Sequence, residues 1–138
     1  MSGKMISVYR LREDANLHAN NRDDTPPEKW GIKPTYGRFL SEEWWHSIDS
    51  GRLQVHTDRG RIAGIWDYPK DFGPMFLFKS YTGSEERFYA KFHEKEQYFE
   101  YREGREVEID YVWIENQKTE YNPQDPIVRR CILEIRLG

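Results

Sequence analysis

The chain has 138 residues, with 21 Lys and Arg against 24 Asp and Glu, for a formal net charge of −3. That balance argues against the basic excess of duplex-binding proteins, although phosphate binding needs a local cluster of cations and not a positive total. A single cysteine, Cys131, excludes an internal disulfide and any multi-cysteine metal site.

Residues 1–56 carry eight basic and eight acidic side chains, so the acidic excess lies in residues 57–138. Charged residues make up 33% of the chain, yet five Trp, nine Tyr and seven Phe supply large apolar surfaces. Each aromatic can bury roughly 150–250 Å², and disordered segments are poor in such residues, so a folded chain of one domain's size is expected. No apolar run approaches the ~18 residues of a membrane-spanning helix. The N-terminal Met1–Ser7 lacks the apolar core of a secretion signal, and a cytoplasmic location is expected.

From the N-terminus, Met5–Leu11 alternates, with Ile6, Val8 and Arg10 opposite Ser7, Tyr9 and Leu11, and reads as a short strand. Residues 16–27 are rich in turn formers without periodicity and read as a long loop. Residues 41–51 read as a helix: Ser41 is the N-cap, Glu42 and Glu43 occupy the first turn, and Gly51 ends it. Trp44 and Ile48 share its inner face, while Trp45 points about a hundred degrees away. Leu53, Val55 and Thr57 alternate as a further strand.

From Arg59 onward the alternation is regular. Arg61–Trp66 and Met75–Tyr81 are strands, separated by a loop over residues 67–74 that contains two prolines. Residues 82–85 form a turn into a strand over Glu86–Phe92, with Phe88, Ala90 and Phe92 on one face and Arg87, Tyr89 and Lys91 on the other. Residues 94–102 read either as a helical turn or as a strand. Gly104 then turns the chain into the clearest strand of all, in which Val107, Ile109, Tyr111 and Trp113 face a core while Glu106, Glu108 and Asp110 face water. A loop over 116–126 follows. Arg129–Leu137 closes the chain, with Cys131, Leu133, Ile135 and Leu137 inward.

The five strands within 59–138, the turn glycine before the fourth, and the closing run Arg129-Arg130-Cys131-Ile132-Leu133-Glu134-Ile135 together resemble an OB-fold. That is a five-stranded Greek-key barrel whose members bind oligonucleotides and sugars. The resemblance covers a little over half the chain, and SH3-like or other small β-barrels share the pattern. It departs from the OB-fold between the third and fourth strands, where residues 93–102 are short and charged and show no clear helix. The expected architecture is mainly β: one domain, with a strand, loop and short helix in residues 1–58 packed on an OB-like barrel.

Binding residues are sought on the outward face of the hairpin, where Arg87, Tyr89 and Lys91 would stand beside Lys79 and Tyr81. Cations flanking aromatic rings suit bases as well as protein, while an ordinary solvated sheet face would carry the same residues, and Glu85, Glu86, Glu94 and Glu96 nearby oppose phosphate. The aromatic run Trp66, Tyr68 and Phe72 is a second group, as an interface anchor or as a lid over one barrel end. Trp45 is a third, beside His46.

The four histidines lack metal-ligand spacing. Cys131 falls on a buried face, where a thiol is inert. No phosphate-cradling loop, nucleophile elbow or dinucleotide fingerprint occurs. Without a metal, a cofactor or a catalytic motif, the chain reads as a non-catalytic binding module whose partner is another protein or a second copy of itself. Two alternatives remain open: binding of single-stranded nucleic acid, and a small enzyme or small-ligand binder whose pocket lies at the barrel mouth beneath the 16–27 loop, with His18, Asp23, Asp24 or His46 as its polar groups.

Overall fold

The structure is a computed structural model that describes residues 5–14, 32–67, 74–115 and 128–138. It divides into two compact units, the first comprising Met1–Leu11, Thr57–Asp110 and Leu133–Gly138, the second Arg12–His56 and Tyr111–Ile132. The fold is mainly β, as the alternation implied. Its strands are β1 (Ile6–Arg10), β2 (His56–Asp67), β3 (Pro74–Ser80), β4 (Glu85–Tyr89), β5 (Glu106–Glu115) and β6 (Val128–Leu137). They form one antiparallel sheet in the order β1-β6-β5-β2-β3-β4, with β1 and β4 at its edges. The run β5-β2-β3-β4 is a Greek key, in which three consecutive strands are followed by a fourth that returns beside the first. The N-terminal strand is thus a full member of the sheet, paired with β6.

In the first unit the segment after β4 reaches β1. The Arg10 amide donates to His93 Nε2 at 2.8 Å, the His93 ring stacks on Tyr9 at 5.2 Å, and Lys91 Nζ stands 5.1 Å from the Tyr9 ring centre. Phe76 is wholly buried and lies against Phe88 and Tyr101, with ring centres 5.8 and 5.3 Å away. Ile62, Phe78, Val107, Ile109, Ile135 and Leu137 are buried with it. At Gly60 β2 approaches β3 closely: a Cβ there would collide with the Lys79 carbonyl oxygen and the Ser80 Cα. Gly104, at φ +87°, makes the turn into β5, a backbone region that glycine enters without steric cost.

Bulges correct the simple alternation in two strands. In β1 the register shifts between Ser7 and Tyr9, so Val8 and Tyr9 are both buried and Ile6 is exposed. In β2 Arg61 pairs with Lys79 and Ile62 with Phe78, but Gly64 then pairs with Leu77. Ala63 is the extra residue, and an extra residue inverts the facing of all that follows. Trp66 therefore shares the outward face with Arg61.

Residues 95–100 form a 3-10 helix, which settles the choice left open for 94–102. The Tyr101 that follows is buried and donates its hydroxyl proton to the Lys91 carbonyl at 2.5 Å. Burial pushes its phenol well above the ordinary tyrosine range. A raised folded-state pKa contributes stability that is fully present below the unfolded value of about 10 and is lost as pH rises beyond it. Tyr101→Phe is accordingly expected to flatten the fall in stability above about pH 10, at the cost of about 1 kcal/mol for the lost hydrogen bond near neutrality. Denaturant melts at pH 7 and pH 11 check this, and parallel pH profiles for variant and wild type would contradict it.

In the second unit, helix α1 (Glu42–Asp49) begins where its capping residue placed it, with the Trp44 amide donating to Ser41 Oγ at 3.2 Å. Trp44 is buried between the edges of Phe39 and Trp45. Ser47 is the other buried residue of the helix, and its hydroxyl donates to the Tyr36 and Glu43 carbonyls at 2.9 and 3.0 Å, while Ile48 is only half-buried. The strand expected over Leu53–Thr57 starts only at His56: Leu53 is buried, its amide held by the Ser47 carbonyl at 2.9 Å, and Val55 is exposed.

Trp113, expected in the core, is 41% exposed, and Val112 and Ile114 are buried instead. The buried face of β5 changes after Tyr111, where Tyr111 and Val112 are buried in succession. Cys131 and Leu133 are half-buried. The 16–27 loop with His18, Asp23 and Asp24, the 116–126 loop, and Tyr68 and Phe72 lie outside the described residues.

Candidate binding surface

Strand register defines the outward face of the first unit. Across β2, β3 and β4, Trp66 pairs with Met75 and Met75 with Tyr89; Gly64 with Leu77 and Leu77 with Arg87; Arg61 with Lys79 and Lys79 with Glu85. Directly paired residues on neighbouring strands project to the same side. The structure thus brings together four of the residues singled out from sequence: Trp66, Lys79, Arg87 and Tyr89. It adds Arg61, Met75 and Leu77, which sequence reasoning missed. The signal for Leu77 was present in the strict period of β3, but Arg61 and Trp66 become neighbours on one face only because of the Ala63 bulge. The Arg87 guanidinium lies 5.8 Å from the Trp66 ring centre, a cation–π distance.

Two expected members of this row stand elsewhere. β4 ends at Tyr89, and Lys91 turns instead toward Tyr9. Tyr81 lies beyond the end of β3 in the hairpin turn, where it is 59% exposed. It joins Arg61, Lys79 and Glu103 in lining a shallow groove of ≈ 460 Å³. Trp45 belongs to the second unit, half-buried beneath the Arg12 guanidinium at 4.3 Å. Arg12 is held there by Asp49 at 2.9 Å.

Charge on the first unit's outward face is unevenly distributed. On β5 and β6, Glu108, Asp110 and Glu134 are already matched: Arg136 grips Asp110 through two bonds of 2.7 and 2.9 Å, and also reaches Glu108 at 3.2 Å and Glu134 at 3.4 Å. Arg59 meets Glu108 at 2.6 Å. Burial pushes the Asp110 carboxyl up, but the hydrogen bonds from Arg136 and Thr57 and the charges of Arg136 and Arg59 outweigh it and hold the group below the usual carboxylate range. The bond to Asp110 raises Arg136 in turn. On β2–β4, by contrast, Arg61 and Lys79 make no ion pair among the described residues, and Glu85 is the lone carboxylate in the paired rows beside them and Arg87.

The second unit carries another aromatic and cationic group. Tyr111 stacks on His56 at 5.5 Å and meets the edge of Trp113 at 5.5 Å, while the Arg130 guanidinium stands 5.0 and 5.4 Å from the two ring centres. Trp113 was passed over because strict alternation placed it inside. Among the described residues no group of three or more His, Cys, Asp or Glu is placed to hold a metal ion, and no helix is long and apolar enough to cross a membrane.

The first unit's sheet carries aromatic rings on one face beside Arg61 and Lys79, which make no ion pair among the described residues. Residues 5–138 match the family model described as "Immunity protein RhsI2", and the chain belongs to that family. Immunity proteins work by binding a toxin protein, so a protein partner is the supported class, and neither the nucleic-acid nor the enzymatic alternative gains support. No curated protein matches the chain.

Proposed function

We propose that the chain neutralises a cognate Rhs toxin domain by binding it, without catalysis, through the outward face of β2, β3 and β4. Family membership carries the toxin as partner. The surface is favoured by Trp66, Met75, Leu77 and Tyr89 lying on one face with Arg61, Lys79 and Arg87, because aromatic residues and Arg are enriched where interfaces concentrate their energy. The matching surface on the toxin is acidic: cations that make no ion pair among the described residues gain from carboxylates across an interface, which also speeds encounter.

The test is the affinity of the Trp66→Ala, Tyr89→Ala double variant for the cognate toxin domain, measured by calorimetry. A loss of about 2–4 kcal/mol is expected, as for central aromatic anchors, with a thermal melt confirming the fold. Equal affinities for variant and wild type would move the interface elsewhere.

A further inference from the structure

The backbone of β4 offers a second recognition element. Around this strand the Ser80 amide donates to the Ser84 carbonyl at 2.8 Å and the Ala90 amide to the Pro74 carbonyl at 2.9 Å. Bonded and non-bonded pairs alternate along an antiparallel ladder. In the observed register the bonded pairs of β4 are therefore Glu86 with Phe78 and Phe88 with Phe76. Glu85, Arg87 and Tyr89 direct their amides and carbonyls away from β3, and among the described residues no strand pairs with that side. Their side chains are exposed on the outward face. The opposite edge of the sheet is different, because the Arg10 amide of β1 is already bonded to His93.

We propose that the β4 edge takes an extended segment of the toxin as an added strand, with Arg87 at its centre and an acidic side chain of the segment beside the Arg87 guanidinium. This rests on the toxin-binding reading above and specifies its mode. Unpaired edge groups are a template for strand addition, and here main-chain donors and acceptors sit in register with the cation. An acidic neighbour follows because cross-strand partners of opposite charge stabilise a pair while like charges destabilise it. The same rule disfavours a second copy of the chain as occupant: full-length antiparallel self-pairing of the five-residue strand opposes Arg87 to Arg87.

The experiment compares Arg87→Ala and Arg87→Pro in calorimetric titration with the cognate Rhs toxin domain. It is joined by amide hydrogen exchange on the wild-type chain, free and bound. Proline removes an amide that β3 does not use, a substitution that edge strands tolerate. The alanine variant is expected to bind about tenfold more weakly, and the proline variant at least about tenfold more weakly again, since a lost main-chain bond is worth about 1.4 kcal/mol or one decade. The Arg87 and Tyr89 amides should exchange rapidly when free and slowly in the complex. If Arg87→Pro fails to fold, the exchange measurement on the wild type decides alone. Equal binding of the two variants, or unchanged exchange at Arg87 and Tyr89 in a complex that does form, overturns strand addition and leaves the toxin-binding reading standing. Protection of these amides by self-association without toxin also overturns it. A wild-type chain that binds no toxin overturns the underlying reading and this inference together.

Discussion

Phe76→Ala is expected to lower the unfolding free energy by about 3–5 kcal/mol, the usual cost of emptying a large aromatic site. Phe76 is fully buried and flanked by Phe88 and Tyr101, whose rings cannot both close the gap without leaving their other contacts: Phe88 also meets Phe78, and Tyr101 is tied by its hydroxyl to Lys91. Domains are typically stable by about 5–15 kcal/mol, so the variant should melt far below wild type. Phe76 also sits in β3 opposite Phe88 of β4, so loosening it would unsettle the strand that carries Arg87 and Tyr89. Urea unfolding followed by tryptophan fluorescence checks the prediction, and a loss under about 1 kcal/mol, well short of a filled aromatic site, would mean that this core is not packed as described.

Arg136→Met should cost about 2–3 kcal/mol at neutral pH, between the ~0–1 of an exposed pair and the ~3–5 of a broken buried one. The Arg136 side chain is 22% exposed and Asp110 19%. Methionine keeps much of the stem but leaves Glu108, Asp110 and Glu134 close together with Arg59 and Arg10 as their remaining cations. The sign of the pH dependence follows from Asp110, whose folded pKa is depressed. Its contribution is present above the unfolded value of about 4 and is lost as pH falls through the lower folded value. The gap between wild type and variant should therefore be full at pH 7 and narrow markedly by pH 3. Paired urea melts at the two pH values measure it, and a constant gap would show that Arg136 acts by packing alone.

The proposed binding mode is economical in structural terms, because face and edge meet on β4. Its outward side chains and its outward main chain belong to the same residues, Glu85, Arg87 and Tyr89. Face variants change the side-chain contribution, whereas a proline changes the main chain, so the two are separable by experiment.

Much of the fold was legible in the residues. Val107, Ile109 and Tyr111 against Glu106, Glu108 and Asp110, the Ser41 cap and the Gly104 turn all carry their meaning locally, because period-two alternation, capping and positive φ depend on a few neighbours in the chain. Lys79, Arg87 and Tyr89 were visible as outward residues for the same reason. Other features are settled at long range: which strands lie side by side, where an extra residue such as Ala63 inverts the facing of Trp66, and why β5 buries Val112 and Ile114 in place of Trp113. Arg136 pairs with carboxylates more than twenty residues away, while Arg61 and Lys79 make no ion pair among the described residues, and no window of sequence shows either. Alternation reports that a strand has two faces, whereas register, bulges and ion pairing arise only when distant segments compete for the same hydrogen bonds and the same buried space.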